Sequence, residues 1–253
     1  MKAVTSYRPP KATVILLTAH CQRLTEMSTI QKDFDRIALV SPDGSTQNNH
    51  YHNFLLRQLP IDWQNALEVG CGKGEFSRRL AERSKQVLAL DLSPEMIRIA
   101  REQSTRCPNI EFQIADVMSY DLPPEGFDCI ASLATLHHLP LREILLKMKA
   151  ALKPGGVLLI LDLFEPERNL VKPAGFFDSV IVNALAIPLS VGLRLIHHGR
   201  LLPSRAARDA WAAHERHDIY PTMDEARVLC AEILPGAEIK KHLLWRYSVV
   251  WRK

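Results

Sequence analysis

Residues 65–74 read Asn65-Ala-Leu-Glu-Val-Gly-Cys-Gly-Lys-Gly74, a short apolar run that stops at three alternating glycines. The run has the length and composition of a buried strand. Gly70, Gly72 and Gly74 let the chain turn tightly, take positive φ and approach a ligand with no Cβ in the way. A helical pattern opens just beyond, with Phe76, Leu80 and Ala81 on one face and Arg78, Arg79, Glu82 and Arg83 on the other. Its first turn offers unpaired N–H groups and a partial positive end.

Working outward, the alternation of strand and helix continues. Gln86-Val-Leu-Ala-Leu90 is a second strand ending at Asp91, and Ser93-Pro94 reads as an N-cap with proline in the first turn of a helix carrying Met96, Ile97, Ile99 and Ala100. Ile110 to Ala115 is a third strand and Phe127 to Ser132 a fourth. Leu141 to Leu152 has apolar residues at helical spacing, and Pro154-Gly155-Gly156 is expected to end it. Val157-Leu-Leu-Ile-Leu161 is a continuous apolar strand of the kind buried on both faces of a parallel sheet. Five strands separated by helices or long connections imply right-handed crossovers and a doubly wound α/β sheet.

Two acids sharpen the reading. Asp91 ends the second strand, where a carboxylate can accept both hydroxyls of a ribose, or serve the helix cap beside Ser93. Asp116 follows the third strand at the same carboxyl edge, as a ligand contact or as a cap for the next turn. A glycine loop and two acids at successive strand ends are hard to explain as three separate structural accidents.

The ordered motifs Leu67-Glu-Val-Gly-Cys-Gly-Lys-Gly74, Leu88-Ala-Leu-Asp-Leu-Ser-Pro-Glu-Met96, Ile114-Ala-Asp116, Phe127-Asp-Cys-Ile-Ala-Ser132 with His137-His138, and Leu152-Lys-Pro-Gly-Gly156 closely resemble those of class I S-adenosylmethionine (SAM)-dependent methyltransferases, and within them the small-molecule and quinone-type branch. Phe34-Asp-Arg-Ile-Ala38 resembles the N-terminal helix of that branch, although the Tyr-Asp continuation usual there is missing. The resemblance implies a mostly parallel, Rossmann-like sheet of seven strands with the last antiparallel, and S-adenosylmethionine as cofactor. It implies that Glu68 and the loop Gly70, Cys71, Gly72 and Gly74 face the methionine half. Asp91 would hold the ribose, Leu92 and Met96 would flank the adenine, Asp116 would accept from the adenine amino group, Val117 would line the ring, and Ser132 would add backbone contacts. A nicotinamide dehydrogenase is disfavoured, because its G-x-G-x-x-G is replaced by G-x-G-x-G and no Tyr-x-x-x-Lys follows the loop.

Methyl transfer needs a base only when the acceptor must lose a proton. His137 follows the fourth strand and is the candidate, against a packing role; His138 reads as a sheet-edge or turn-capping residue. Tyr51 lies between His50 and His52 where related enzymes close a segment over the cofactor, and is a second candidate. His214-Glu-Arg-His-Asp218 lacks the H-E-x-x-H spacing of a zincin helix and is expected to be an exposed helix end, so no metal is assigned.

The expected organisation is an N-terminal tail and lid helices over 1–62, the SAM-binding core over 63–164, a helical insertion or lid over 165–218, and a helix with a strand pair over 219–253. Helices are expected at 204–214 and 222–233, and strands at 237–242 and 246–251. Residues 176–196 are apolar but carry Asp178, Asn183, Pro188 and Arg194, which argues against a span of about 20 uninterrupted apolar residues. They read as a buried helix pair or as a lid. Met27-Ser-Thr-Ile-Gln-Lys has the look of a natural start, so 1–26 is expected to be an extension or tail, and the run Ala12–Ala19 lacks the cleavage box of a signal peptide.

A net charge of +4 over 253 residues is too mild for a dedicated nucleic-acid binder. Five scattered cysteines with no C-x-x-C pair point to a reducing, cytoplasmic setting. Ser132-Leu-Ala-Thr135 stands where an Asn/Asp-Pro-Pro-aromatic motif would mark methylation of exocyclic amines on nucleic-acid bases. The expected partner is a small, hydrophobic or aromatic methyl acceptor, with no DNA and no stable membrane insertion, and with a homo-oligomer left open. The alternatives are a SAM-binding interaction module without transfer, or an RNA or protein methyltransferase.

Overall fold

The computed structural model describes residues 27–41, 47–60, 63–165, 204–216, 218 and 220–253, with positions 188, 191, 192 and 195. The tail 1–26 and most of the apolar segment 176–196 lie outside the described residues. Helix α1 covers 27–40, and a 3-10 turn Gln47–Tyr51 leads into α2 (His52–Leu56). Then come β1 (Trp63–Val69), α3 (Glu75–Ala81), β2 (Ser84–Asp91), α4 (Pro94–Gln103), β3 (Ile110–Ile114) and β4 (Phe127–Leu133). The 3-10 turn Leu136–His138 precedes α5 (Leu141–Ala151) and β5 (Leu152–Leu163). Helices α6 (Arg205–His214) and α7 (Met223–Ile233) and the hairpin β6 (Glu238–His242) and β7 (Arg246–Arg252) complete the described chain.

The strands form one seven-stranded sheet in the order β3-β2-β1-β4-β5-β7-β6. The pairs from β3 through β5 are parallel, and β7 runs antiparallel to both neighbours. The chain order reverses between β1 and β4, so a crevice opens at the carboxyl ends of these two strands. The apolar run of β5 shows why the sheet is covered on both sides. Leu158 and Ile160 join the core with α5 and α7, while Val157, Leu159 and Leu161 join the opposite core with α2 and α3.

The expected cap at Ser93 is present, and a second one appears at Thr222. Ser93 accepts from Met96 N at 3.1 Å, and Thr222 and Glu225 close a reciprocal capping box at the start of α7. One expectation needs correcting. Pro154-Gly155-Gly156 does not separate helix from strand, because β5 already begins at Leu152. Leu152 pairs with Phe127 and Val157 with Cys129, so the residues between them bulge out of the ladder. Gly155 takes φ +78° there, and its N–H donates to Lys253 O at 2.8 Å.

Candidate active site

The carboxyl edge of the sheet opens into a cavity of about 1040 Å³, at or above the upper end of single-ligand pockets, roughly 300–1,000 Å³. Glu68, Gly70, Cys71, Gly72, Asp91, Leu92, Met96, Asp116, Val117 and His137 all line it. Sheet order divides the cavity. Asp91 and Asp116 belong to the β2–β3 side of β1, and the histidine turn belongs to the β4–β5 side. Helix α1 supplies part of the wall through Ile30, Phe34 and Ile37. It is tied to the core by Asp35, which accepts from Ser93 Oγ at 2.5 Å and Glu95 N at 3.1 Å, while Lys73 donates to Ser41 O at its end.

The glycine loop is built by close approach. Gly70 has φ +72°, and a Cβ on it would lie 2.0 Å from Thr135 Oγ1. Gly72 has φ +51° and nothing within 4 Å of its missing Cβ, so a side chain there would project into the space a ligand needs. Gly72 N donates to Asp91 Oδ2 at 2.8 Å, and Ser93 N donates to Oδ1 at 2.9 Å. Asp91 therefore serves the cap, yet each oxygen keeps acceptor capacity toward the cavity. Asp116 likewise has both roles, since it accepts from Met118 N at 2.9 Å and lines the cavity.

Glu68 is 2% exposed. Burial pushes its carboxyl up to about 8; the Ser77 hydroxyl that donates to it pulls the other way, and Asp91 reinforces the rise. Burial also raises Asp91, against the backbone donors of Ser93, Gly72 and Leu92. These residues fit the ligand that the resemblance implies. Buried Glu68 and half-buried Asp91 suit a cationic amino-acid and sulfonium end, Asp91 has acceptors left for a diol, and Gly72 leaves the room.

Two expected cofactor contacts do not line the cavity. Gly74 has φ +74° and its Cβ would strike the Phe112 ring at 2.8 Å, so the glycine permits packing of the helix cap on β3. Ser132 is fully buried and donates to Val69 O at 3.0 Å, tying β4 to β1 beneath the loop.

The catalytic candidates separate as well. Tyr51 is buried away from the cavity, and its hydroxyl donates to Leu243 O at 2.6 Å. Its place is to lock the N-terminal segment to the β6–β7 turn, and burial raises its pKa. Tyr51→Phe is expected to leave turnover unchanged and cost about 1 kcal/mol of stability, read by denaturant unfolding beside a rate assay. A large rate loss at unchanged stability would contradict this placement. The missed residue of that segment is His52, which lines the cavity against Phe76 and is held down to about 4 by burial and then by Arg79.

His137 stands at the cavity with Nδ1 2.6 Å from Asp162 Oδ1, and its backbone N donates to Oδ2 at 3.0 Å. Asp162, 1% exposed, was not singled out from the sequence. Its signal was there, because it ends the apolar run of β5 as Asp91 ends that of β2. The His138 ring lies 3.9 Å from that of His137 and 4.9 Å from that of His214, tilted against both, and burial with these two neighbours drives it down to about 2. The expected exposed helix end is also corrected: His214 is 3% exposed, and both it and Asp218 line the cavity. Phe34 packs edge-on against His138 and His214, and Trp211 sits at the same end.

Comparison with known proteins agrees with this architecture. Residues 66–156 match a family described as a methyltransferase domain. An uncharacterised methyltransferase of Mycobacterium bovis is 31% identical over 207 residues, covering 81% of this chain and 95% of that protein. A 2-phytyl-1,4-naphtoquinone methyltransferase of Thermosynechococcus vestitus is 29% identical over 158 residues, covering 58% of this chain and 69% of that one. Among solved structures, the N-methyltransferase NodS of Bradyrhizobium japonicum, in complex with S-adenosylhomocysteine, shares the fold at TM-score 0.58 and 16% identity, over 90% of this chain and 98% of its own. No helix among the described residues is long and apolar enough to cross a membrane. With near-complete alignment to a methyltransferase relative added to the sheet order and the glycine-and-acid edge, the chain belongs to the class I SAM-dependent methyltransferases.

Proposed function

We propose that the protein moves a methyl group from SAM to a small hydrophobic or aromatic metabolite bound on the β4–β5 side of the cavity. The observation that carries this reading is one large cavity with Asp91 and Asp116 on its β2–β3 side and, on its β4–β5 side, Phe34, Leu139 and Trp211 around a cluster of histidines with Asp33 and Asp218. The first side suits a cationic nucleoside, and the second suits a flat apolar acceptor with one polar group to meet an imidazole. Similarity to a naphthoquinone methyltransferase supports a lipophilic acceptor.

When bound, SAM supplies a methyl group already activated by its sulfonium. The chain's task is alignment, which alone can lower a barrier by roughly 7–11 kcal/mol. In this reading Glu68 and the loop at Gly70–Gly72 hold the methionine end. Asp91 accepts from the ribose, while Leu92, Met96, Asp116 and Val117 enclose the adenine. Ser132 acts indirectly, by fixing Val69. His137, with Nδ1–H directed to Asp162, keeps the lone pair of its other nitrogen and removes the acceptor's proton.

The test is methyl-labelled SAM incubated with the purified protein and a metabolite extract split by polarity. Label is expected in the organic-soluble small-molecule fraction. Label only in precipitated RNA or protein, or SAM binding with no transfer to any fraction, would contradict the reading.

A further inference from the structure

The β4–β5 side of the cavity gathers more ligating groups than a proton transfer requires. His137 and His138 come from the 3-10 turn after β4, and Asp218 comes from the segment after α6. One ligand atom from each lies within 4.8 Å of the others. His138 Nδ1 is 3.4 Å from Asp218 Oδ1, and His214 Nε2 is 3.7 Å from the same oxygen. Both separations exceed an ordinary N–H···O bond of about 2.7–3.2 Å. Two ligands held at about 2.1 Å on one tetrahedral ion, in contrast, are themselves roughly 3.4 Å apart. The geometry points to a binding site for a single divalent transition-metal ion of the zinc class, ligated by His137, His138 and Asp218.

The surroundings of the three ligands are those a metal site needs. Ligating histidines characteristically direct their second ring nitrogen to a carboxylate, and ligating carboxylates are hydrogen-bonded in turn. Asp162 takes Nδ1 of His137 at 2.6 Å, so ligation falls to Nε2. Tyr220 Oη donates to Asp218 Oδ2 at 2.7 Å, leaving Oδ1 between the imidazoles. Two imidazoles and one carboxylate suit zinc, cobalt or iron; magnesium and calcium prefer oxygen ligands throughout. Three protein ligands leave a coordination position open, and all three residues line the large cavity, which gives the ion a path in. The three ligands come from two elements, the 3-10 turn after β4 and the segment after α6, so they are not the single-helix pattern of residues 214–218.

The inference rests on the reading of this side as the acceptor side, because it assigns the ion the same lone pair of His137 that removes the acceptor's proton. Metal and proton compete for it, so zinc-loaded protein is expected to lose His137-dependent turnover.

The experiment is titration of the untagged full chain, stripped with chelator, with Co²⁺ and Zn²⁺. One equivalent is expected to bind, with the visible absorption of low-coordinate Co²⁺. Asp162→Asn and Tyr220→Phe keep all three ligands and are expected to weaken binding about 10–100-fold. Asp218→Asn and His138→Gln are expected to weaken it beyond roughly 100-fold, the upper limit for losing an outer partner. SAM binding by each variant identifies a misfolded chain, and Tyr220→Phe decides the matter where the ligand variants do not fold. Absence of stoichiometric Co²⁺ binding, or unchanged affinity in folded Asp218→Asn or Tyr220→Phe, would overturn the site. Metal binding with undiminished turnover would retire His137 as base and leave the metal site standing. Turnover that depends on His137 in protein that binds no metal would do the reverse.

Discussion

Replacing His137 by alanine is expected to lower the rate of methyl transfer by about 10²–10⁴-fold while leaving SAM affinity essentially unchanged. The size follows from the task. On the proposed reading the acceptor's polar group loses its proton as the new bond forms, and Nε2 of a ring held at Nδ1 by Asp162 takes it. The selectivity follows from position, since His137 lies on the β4–β5 side of the cavity and the residues assigned to SAM lie on β1 and its β2–β3 side. Asp162→Asn is expected to fall almost as far. Its amide can donate to Nδ1, which favours the tautomer with hydrogen on Nε2 and removes the basic lone pair. Single-turnover rates at saturating labelled SAM check both variants. A wild-type rate in His137→Ala would retire the residue as a base.

The second large effect concerns pH. Burial holds the carboxyl of Glu68 at about 8 instead of its ordinary 4.5, so the free protein carries it protonated at neutral pH. A bound cation beside it favours the carboxylate, and SAM binding is therefore expected to release a proton below pH 8. Between the lowered pKa of Glu68 in the complex and about 8, affinity for SAM should rise by up to about tenfold per pH unit and then level off. The same shift gives the unbound fold the opposite trend. The unfolded chain ionises Glu68 from about 4.5 upward while the folded chain keeps its proton, so this group lowers stability as pH rises from about 4.5 to about 8. Glu68→Gln should flatten both trends, because the amide mimics the protonated acid at every pH. Calorimetry in buffers of different ionisation enthalpy reads the proton directly. Proton release unchanged in Glu68→Gln would assign the linkage elsewhere.

The architecture was legible where local chemistry decided it. Five parallel strands followed from apolar runs punctuated by glycines and by caps such as Ser93-Pro94. The acids at strand ends marked the ligand edge, since a strand's carboxyl end is where its last side chain meets the crevice. What the chain could not show was orientation. Tyr51 and His52 are adjacent, yet one bonds Leu243 O and the other lines the cavity. A helix start places neighbours on different faces, and only the packing of α2 on α3 decides which is which.

The histidine cluster was hidden for a different reason. His137, Asp162, His214 and Asp218 are scattered along the chain and meet only because β4, β5 and the segment after α6 converge. Local spacing near 214–218 argued for an exposed end, and burial of His214 and Asp218 against Phe34 and the 137–138 pair reversed it. Gly74 and Ser132 illustrate the converse. They occupy motif positions, but one makes room for Phe112 and the other clamps Val69 O, so the motif records what shapes the loop as well as what touches a ligand.

On the proposed reading the cavity at this edge holds SAM through Glu68, the glycine loop and Asp91. The most direct test of this is equilibrium binding of SAM to the wild-type chain and to Asp91→Ala, with thermal unfolding recorded for both. Saturable 1:1 binding by the wild type, weakened by about 10–100-fold on loss of the charged acceptor, is the expected result. Equal affinity in the two folded proteins, or no binding by the wild type, would contradict it.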